Sequence, residues 1–253
     1  MSDYLIRPNW PAPKNVKSLQ TTRAGGVSVP PYESLNLGAH VKDDEQSVFE
    51  NRRRLGESLP NSPLWLQQVH STVVVNEQQA KHNPQADGSF TKQINEVCTV
   101  MTADCLPILF CNESGTQVAA VHAGWRGLAD GVIERALAQF QCDPNSVMAW
   151  LGPAIGPGAF EVGLNVYDAF CSFDSAAKNC FKKQPDQFSS DGKITLEKWH
   201  ADLYTLARLR LSAAGVNKVY GGDFCTYSDN ERFFSYRRNG ETGRMASCIW
   251  LSH

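Results

Sequence analysis

Several marks of large protein classes are missing from this chain of 253 residues. Its eight cysteines form no Cys-x-x-Cys pair, its six histidines form no His-x-His pair, and no run approaches the roughly 20 uninterrupted apolar residues of a membrane span. The first absence argues against a zinc ribbon or a thioredoxin-type motif. The third argues against an integral membrane protein. Net charge is also nearly absent, at −2, so no global field draws the chain to nucleic acid or to an acidic membrane. The densest basic run, Arg52-Arg53-Arg54, reads as the solvated face of a helix. Internal repeats, low-complexity stretches and Pro/Gly/Ser linkers are lacking too, which points to one domain over residues 1–253. The first residues, Met1 to Pro8, have neither the basic start nor the apolar stretch of a secretion signal. The expectation is a cytoplasmic protein whose cysteines are reduced and mostly serve as small buried hydrophobes.

What is present is a mixed pattern of strands and helices. The front third is turn-rich, with a helix expected from about Asp44 to Leu55. Alternation of Leu64, Leu66 and Gln68 with Trp65, Gln67 and Val69 predicts a strand over 63–75, with His70 on the face of Leu64 and Leu66. Apolar runs at Val97–Met101, Pro107–Cys111 and Gln117–Val121 read as buried strands. From Leu128 the spacing turns helical through Val132, Ile133, Ala136, Leu137 and Phe140, and a new apolar run spans Val147–Leu151. That strand, helix, strand order predicts a crossover with a parallel pair. Further helices are expected over 161–170 and over 202–214, the latter closed by Gly215. A polar loop fills 182–193, and strands cover Val216–Tyr220 and Arg244–Leu251. Without strict alternation of helix and strand, the fold class is α+β: mixed β-sheets flanked by helices.

Chemistry concentrates where strands end. His122-Ala123-Gly124-Trp125-Arg126-Gly127 joins a strand to a helix, and its glycines, its helix start and Arg126 could cradle an anion such as phosphate or simply build a tight turn. Cys105, in Asp104-Cys105-Leu106-Pro107, opens another strand of the same segment. Imidazole and thiolate suit a borderline-soft metal such as zinc, and three protein ligands leave a fourth tetrahedral position open. The third ligand is open among His40, His70, His82 and His200; His70 is favoured because strands hold geometry better than loops. The same residues allow Cys105 as a nucleophile with His122 as its base, oriented by Asp104. Arg23, in Thr21-Thr22-Arg23-Ala24-Gly25-Gly26, could meet a phosphate or sit in a plain turn. Gly152-Pro153-Ala154-Ile155-Gly156 could wall a pocket. Phe233-Phe234-Ser235-Tyr236-Arg237-Arg238 reads as core aromatics beside surface arginines.

Together these stretches resemble one family. Ser34-Leu35-Asn36-Leu37-Gly38, Gln67-Gln68-Val69-His70, Thr102-Ala103-Asp104-Cys105-Leu106-Pro107, Val121-His122-Ala123-Gly124-Trp125-Arg126-Gly127, Gly152-Pro153-Ala154-Ile155-Gly156 and Thr242-Gly243-Arg244-Met245 occur in the order seen in the bacterial YfiH, or laccase-domain, family. The likeness spans nearly the whole chain. It implies a zinc site made by His70, Cys105 and His122, and an α+β fold similar to the cytotoxic necrotizing factor catalytic domain, where a Cys and a His form a hydrolase pair. Members of the family carry three kinds of label: purine nucleoside phosphorylase with adenosine deaminase and methylthioadenosine phosphorylase activity, polyphenol oxidase, and peptidoglycan editing factor.

Histidine count separates these labels. A multicopper laccase draws on about ten histidines, many in His-x-His pairs; six without such a pair cannot build a trinuclear copper cluster from one subunit. A single copper in the His2Cys set, with Met101 as axial donor, is the remaining oxidase option. Phosphorolysis of a purine nucleoside uses more of what is present. Its substrate-binding candidates are Arg23, Asn36, Gly124 and Arg126, and Asp104 is the candidate acid/base for deamination. The alternative is an amidase acting on a peptidoglycan precursor through Cys105 and His122. The partners expected are small molecules, a nucleoside and phosphate, with zinc as cofactor and copper as its substitute.

Overall fold

The structure, a computed structural model, describes residues 5–76, 83–185, 187–188 and 194–253. His82 and part of the expected 182–193 loop lie outside the described residues. The strands in chain order begin with β1 (Leu5–Ile6), β2 (Val16–Thr21), β3 (Val74–Val75), β4 (Gly88–Thr91) and β5 (Cys98–Thr102). They continue with β6 (Leu106–Asn112), β7 (Val118–Ala123), β8 (Val147–Leu151), β9 (Glu161–Gly163) and β10 (Phe181–Lys183). The last are β11 (Gln187–Phe188), β12 (Ile194–Leu196), β13 (Lys198–Ala201), β14 (Lys218–Gly221) and β15 (Met245–Leu251). The α-helices are α1 (Glu45–Gly56), α2 (Trp125–Asp130), α3 (Val132–Leu137), α4 (Leu164–Cys171), α5 (Leu203–Ala213) and α6 (Tyr236–Asn239).

Two sheets face each other. One has the order β1-β2-β15-β5, antiparallel throughout; the other has six strands in the order β14-β8-β6-β7-β4-β3. Alternation along the strands makes this stacking possible, because successive side chains leave opposite faces. On β6, Leu109 and Cys111 turn toward the four-stranded sheet and meet Val100, Ile249 and Leu251. Leu106, Ile108 and Phe110 turn the other way, onto Leu128, Val132, Ile133, Leu206 and Leu211 of the helices. On the far side of the four-stranded sheet, Leu55 of α1 packs with Leu19, Leu35, Cys248 and Trp250. The layers therefore run helix, sheet, sheet, helices, the mixed-sheet α+β architecture expected from the sequence. Among the described residues, no helix is long and apolar enough to cross a membrane.

Five local expectations change, one of them the 182–193 loop, where β10 and β11 take up 182–183 and 187–188. The helical stretch after Leu128 is cut in two at Gly131, whose φ of 100° no helix interior accepts. The strands β7 and β8 run the same way but are not neighbours, because β6 lies between them and is antiparallel to both. The short β6–β7 connection closes first-neighbour pairing at lower entropic cost than the long crossover. Residues 63–73 form no strand, only isolated bridges at Leu64 and Gln67. The 161–170 stretch starts as β9 before turning into α4. The expected helix over 202–214 stands, with Asp202 as its N-cap and Gly215 at φ 85°.

The basic run divides as well. Arg53 and Arg54 ion-pair with Glu50 on the surface, but Arg52 lays its guanidinium 4.0 Å over the Trp65 ring and donates from Nε to the Leu37 carbonyl. Phe233 and Phe234 are fully buried and Arg237 is exposed, as expected. The Gly152–Gly156 loop is pinned by the Tyr204 hydroxyl, which donates to Gly152 and accepts from Ala154.

Candidate metal centre

Strand register brings the chemistry to one edge of both sheets. Leu106 pairs with Ala123 and Met245 with Thr102, so the ends of β5 and β7 and the starts of β6 and β15 lie together. His122, on the face of β7 that carries Val118 and Ala120, is the last but one residue of that strand and is buried. Cys105 sits in the turn between β5 and β6, partly exposed, just after Asp104, whose φ is 88°. His70 arrives from a loop, in the left-handed region at φ 61°, with its ring exposed. The strand expected to carry it does not form. Cys105 Sγ lies 3.7 Å from His70 Nε2, and the two imidazoles meet edge to face with centroids 4.8 Å apart. One ligand atom from each of the three residues falls within 4.8 Å of the others.

A residue that the sequence did not single out holds this cluster together. The carboxylate of Asp87, fully buried, accepts from the backbone N–H groups of Val69, His70 and Ser71 and from the Ser71 hydroxyl. Its Oδ1 also lies 2.8 Å from His122 Nδ1. One carboxylate thus shapes the loop that carries His70 and turns the other nitrogen of His122 toward the cluster, as carboxylates commonly do behind a metal-binding imidazole. Burial opposes its ionisation, but His122 and Ser71 outweigh burial and hold the Asp87 carboxyl below its ordinary value. Gln68 adds a second tether, donating to the Met101 carbonyl at 2.8 Å and accepting from the Met101 N–H at 2.7 Å.

The glycines serve packing. A Cβ on Gly124 would stand 2.6 Å from His70 Cδ2 and 3.3 Å from Cys105 Sγ, and one on Gly127 would stand 2.9 Å from the Ser71 carbonyl oxygen. Both leave room for the loop that brings His70 in. Electrostatics match the geometry. Burial resists a thiolate at Cys105, yet His122 and His70 outweigh it and bring the thiol down to about 6. Burial likewise resists an imidazolium at His122, yet Cys105 and Asp87 push it up to about 9. A soft thiolate, two imidazoles, an oriented ring and a cradle that a methyl group would fill make a donor set that can hold a metal ion.

Other candidates are placed elsewhere. Asp104 is spent on structure: Thr226 Oγ1 donates to one oxygen, and Ser235 Oγ and the Arg237 N–H donate to the other. Asn36 is fully buried, with Oδ1 accepting from Gly38 and Arg244 and Nδ2 donating to Gly38 and Asp43, so it has no polar atom left for a substrate. Arg23 donates to the carbonyls of Glu33 and Asn230. Arg126 is exposed, with its guanidinium 4.5 Å over the Trp125 ring. Met101 is packed among Leu19, Leu35 and Leu37, which removes the expected axial donor. His200 lies on β13, and His40 is exposed beside the centre, close enough to feel the charge of His122. A cleft of about 1220 Å³ borders the His70 loop, lined by His40, Arg52, Trp65, Gln68, Val69 and the buried, unpartnered hydroxyl of Ser89 among others.

Fold and centre together define a class: an antiparallel sheet stacked on a mixed one, with a His-Cys-His donor set at their shared edge. A family model described as multi-copper polyphenol oxidoreductase laccase matches residues 17–252, and the chain belongs to that family. It is 52% identical over 250 residues to the purine nucleoside phosphorylase YfiH of Escherichia coli K12, covering 98% of each chain. It is 51% identical over 248 residues to the purine nucleoside phosphorylase PA4543 of Pseudomonas aeruginosa, covering 97% of this chain and 98% of the relative. Among solved structures, Neisseria meningitidis protein NMB0706 matches with a TM-score of 0.91 at 50% identity, over 99% of this chain and 100% of that one. YlmD of Geobacillus stearothermophilus matches with a TM-score of 0.85 at 30% identity, over 100% of this chain and 98% of the other.

Proposed function

We propose that this chain is a zinc-dependent purine nucleoside phosphorylase acting on adenosine, inosine and methylthioadenosine, with adenosine deaminase activity at the same centre. The observation that carries the reading is the convergence of His70, Cys105 and His122 beside a cleft large enough for a nucleoside, in a chain half identical to proteins bearing that name. In phosphorolysis the bond from the ribose anomeric carbon to the purine nitrogen breaks. A phosphate oxygen bonds to that carbon, giving ribose-1-phosphate, and the base leaves with a proton on nitrogen.

His70, Cys105 and His122 would hold the metal ion, and Asp87 would keep the first and last in place. When bound, zinc supplies Lewis-acid polarisation without redox chemistry. Asp104, fully engaged, orients the turn before Cys105. Among the described residues one cluster has metal-binding geometry, so oxidation of phenols would depend on a single adventitious copper. Incubating metal-defined protein with inosine or adenosine, with and without phosphate, tests the reading: base release that requires phosphate supports it, and release indifferent to phosphate, or none, overturns it.

One observation favours the alternative amidase. Cys105, His122 and Asp87 stand in the order nucleophile, base and orienting carboxylate, with the thiol lowered to about 6. Release of an amino acid from a muramyl precursor by chelator-treated protein would support that reading over the first.

A further inference from the structure

Two stretches singled out in the sequence, Ser34–Gly38 and Thr242–Met245, remain without a task, and the fold joins them at the centre. Asn36 Oδ1 accepts from the Arg244 N–H and from the Gly38 N–H, each at 2.9 Å, and the Leu37 N–H donates to the Arg244 carbonyl at 3.1 Å. Because Met245 is in register with Thr102, this clamp sets Arg244 beside the turn that holds Asp104 and Cys105. Arg244 is close enough for the charges of both residues to act on it. Gly38 makes the approach possible: a Cβ there would stand 2.8 Å from Arg244 Cγ and 3.3 Å from His40 Cε1.

The result is two guanidinium groups and an imidazole with no carboxylate in ion-pair contact among the described residues. Arg244 donates from Nη1 to the carbonyls of Thr242 and Gly243, which fixes its fork. Among the described residues, neither Arg244 nor Arg52 nor His40 has a carboxylate within ion-pair distance. Arg52 and His40 line the cleft itself. Partial desolvation and then the charges of Arg244, Arg52 and His122 disfavour an imidazolium at His40, which joins the group as a hydrogen-bonding imidazole and not as a cation. Arg23 has two guanidinium nitrogens committed to carbonyls, and Arg126 points outward over its own neighbour. A fixed guanidinium with no direct ion-pair partner, next to a soft-metal centre, suits a tetrahedral oxyanion.

We propose that Arg244, flanked by His40 and Arg52, forms an inorganic-phosphate subsite at the metal centre, with Asn36 and Gly38 as the positioning residues that hold it there. The inference rests on the phosphorolysis reading for its use and on the side-chain arrangement for its existence, so the two are tested apart. Binding of inorganic phosphate to the metal-loaded full chain is measured by titration calorimetry, and the KM for phosphate is measured at saturating inosine. Arg244→Met and Arg244→Lys are compared with Arg126→Ala and with the surface control Arg53→Gln, each checked for fold by circular dichroism and for metal content. The expected result is phosphate binding weakened about tenfold or more in Arg244→Met, partial retention in Arg244→Lys, and a proportionate rise in KM for phosphate with little change in KM for inosine. Should Arg244→Met destabilise the fold, His40→Gln, expected to weaken phosphate by a smaller factor, carries the test. Wild-type phosphate affinity in the folded Arg244 variants, or loss that follows Arg126 instead, overturns the subsite. Phosphate binding that depends on Arg244 without phosphate-dependent base release leaves the subsite standing and removes the phosphorolysis reading.

Discussion

The two imidazoles of the centre reach the same place by opposite means. His122 belongs to β7, a strand bonded on both sides and buried on both faces, and its ring is turned by a carboxylate 2.8 Å away. His70 stands on a loop, at a left-handed φ of 61°, with its ring exposed. Asp87 reaches it through the backbone N–H groups on either side, its own N–H and the Ser71 hydroxyl, and not through the ring. One imidazole is therefore held by its own ring and by sheet pairing, the other through the loop around it, which Asp87 and Gln68 pin. A donor set built this way has a floor set by β7 and the turn before β6, His122 and Cys105, and a third arm carried by a loop, the kind of segment that opens at least cost.

The largest effect follows from removing the floor. Cys105→Ala and His122→Ala are expected to bring bound metal to background in elemental analysis and to take phosphate-dependent base release with it. His70→Ala keeps two fixed ligands and is expected to retain weaker but measurable binding. Equal loss in all three variants would break the distinction between floor and arm. Next in size is Asp87→Asn, which keeps one acceptor and removes the charge and the second one. Metal affinity is expected to fall about 10–100-fold, and urea unfolding should register a loss of about 1–3 kcal/mol for the unmatched donors. Because the folded Asp87 carboxyl lies below its unfolded value, its contribution is present above that unfolded value and disappears as pH falls through the folded one. The variant should accordingly lose less stability than the wild type between neutral pH and the acid limb.

The contrast also explains what the sequence made legible. Cys105 and His122 bracket the apolar runs of β6 and β7, so their positions at strand ends could be read from hydrophobicity. For His70 the sequence points to a strand, and the structure places it on a loop. The alternation of Leu64, Leu66 and Gln68 looks like a strand, but Gln68 satisfies the Met101 backbone with its side-chain amide, a substitution that no periodicity reports. Asp87 gave no signal because an isolated aspartate before a short strand resembles a turn residue; its pairing with Ser71 and His122 is tertiary. The pattern Ser71 with Asp87 ahead of Gly88 would have been the only local hint. Arg244 was visible as part of a motif, yet its place at the centre depends on the register of β15 against β5, two strands far apart in sequence. The glycines after His122 were read partly as an anion cradle, and the space they leave is taken by His70 and the Ser71 carbonyl.

Gly124→Ala sharpens the comparison at intermediate size. Gly124 has φ −60°, which alanine adopts freely, so the substitution carries no backbone penalty and its effect is steric. The new methyl would meet His70 Cδ2 at 2.6 Å and Cys105 Sγ at 3.3 Å. The arm must give way before the floor does. A destabilisation of about 1–3 kcal/mol is expected from the overpacking, together with weaker metal binding and an altered His70 resonance in NMR, while His122 keeps its shift. Displacement of His122 as well would show that floor and arm move as one body.

The smallest effect concerns the metal-free centre and its pH window. The folded Cys105 thiol, at about 6, lies below its unfolded value, so its contribution is lost as pH falls through about 6. Folded His122, at about 9, lies above its unfolded value, so its contribution is lost as pH rises through about 9. Between these limits the pair is charged and the apo protein should show its highest melting temperature, a maximum that Cys105→Ala flattens. Thiol reactivity provides the sharper readout. Iodoacetamide should modify Cys105 at a rate that rises through about pH 6 and then levels, while Cys111 and Cys248, buried and pushed up to about 12, stay unmodified. Added zinc should protect Cys105 from the reagent. In His122→Ala the inflection should move toward the ordinary thiol range, and in His70→Ala it should move less, because the buried imidazole supplies the larger share of the field at Cys105. An equal displacement in both variants would mean that the exposed ring on the loop governs the thiol as strongly as the buried one on β7.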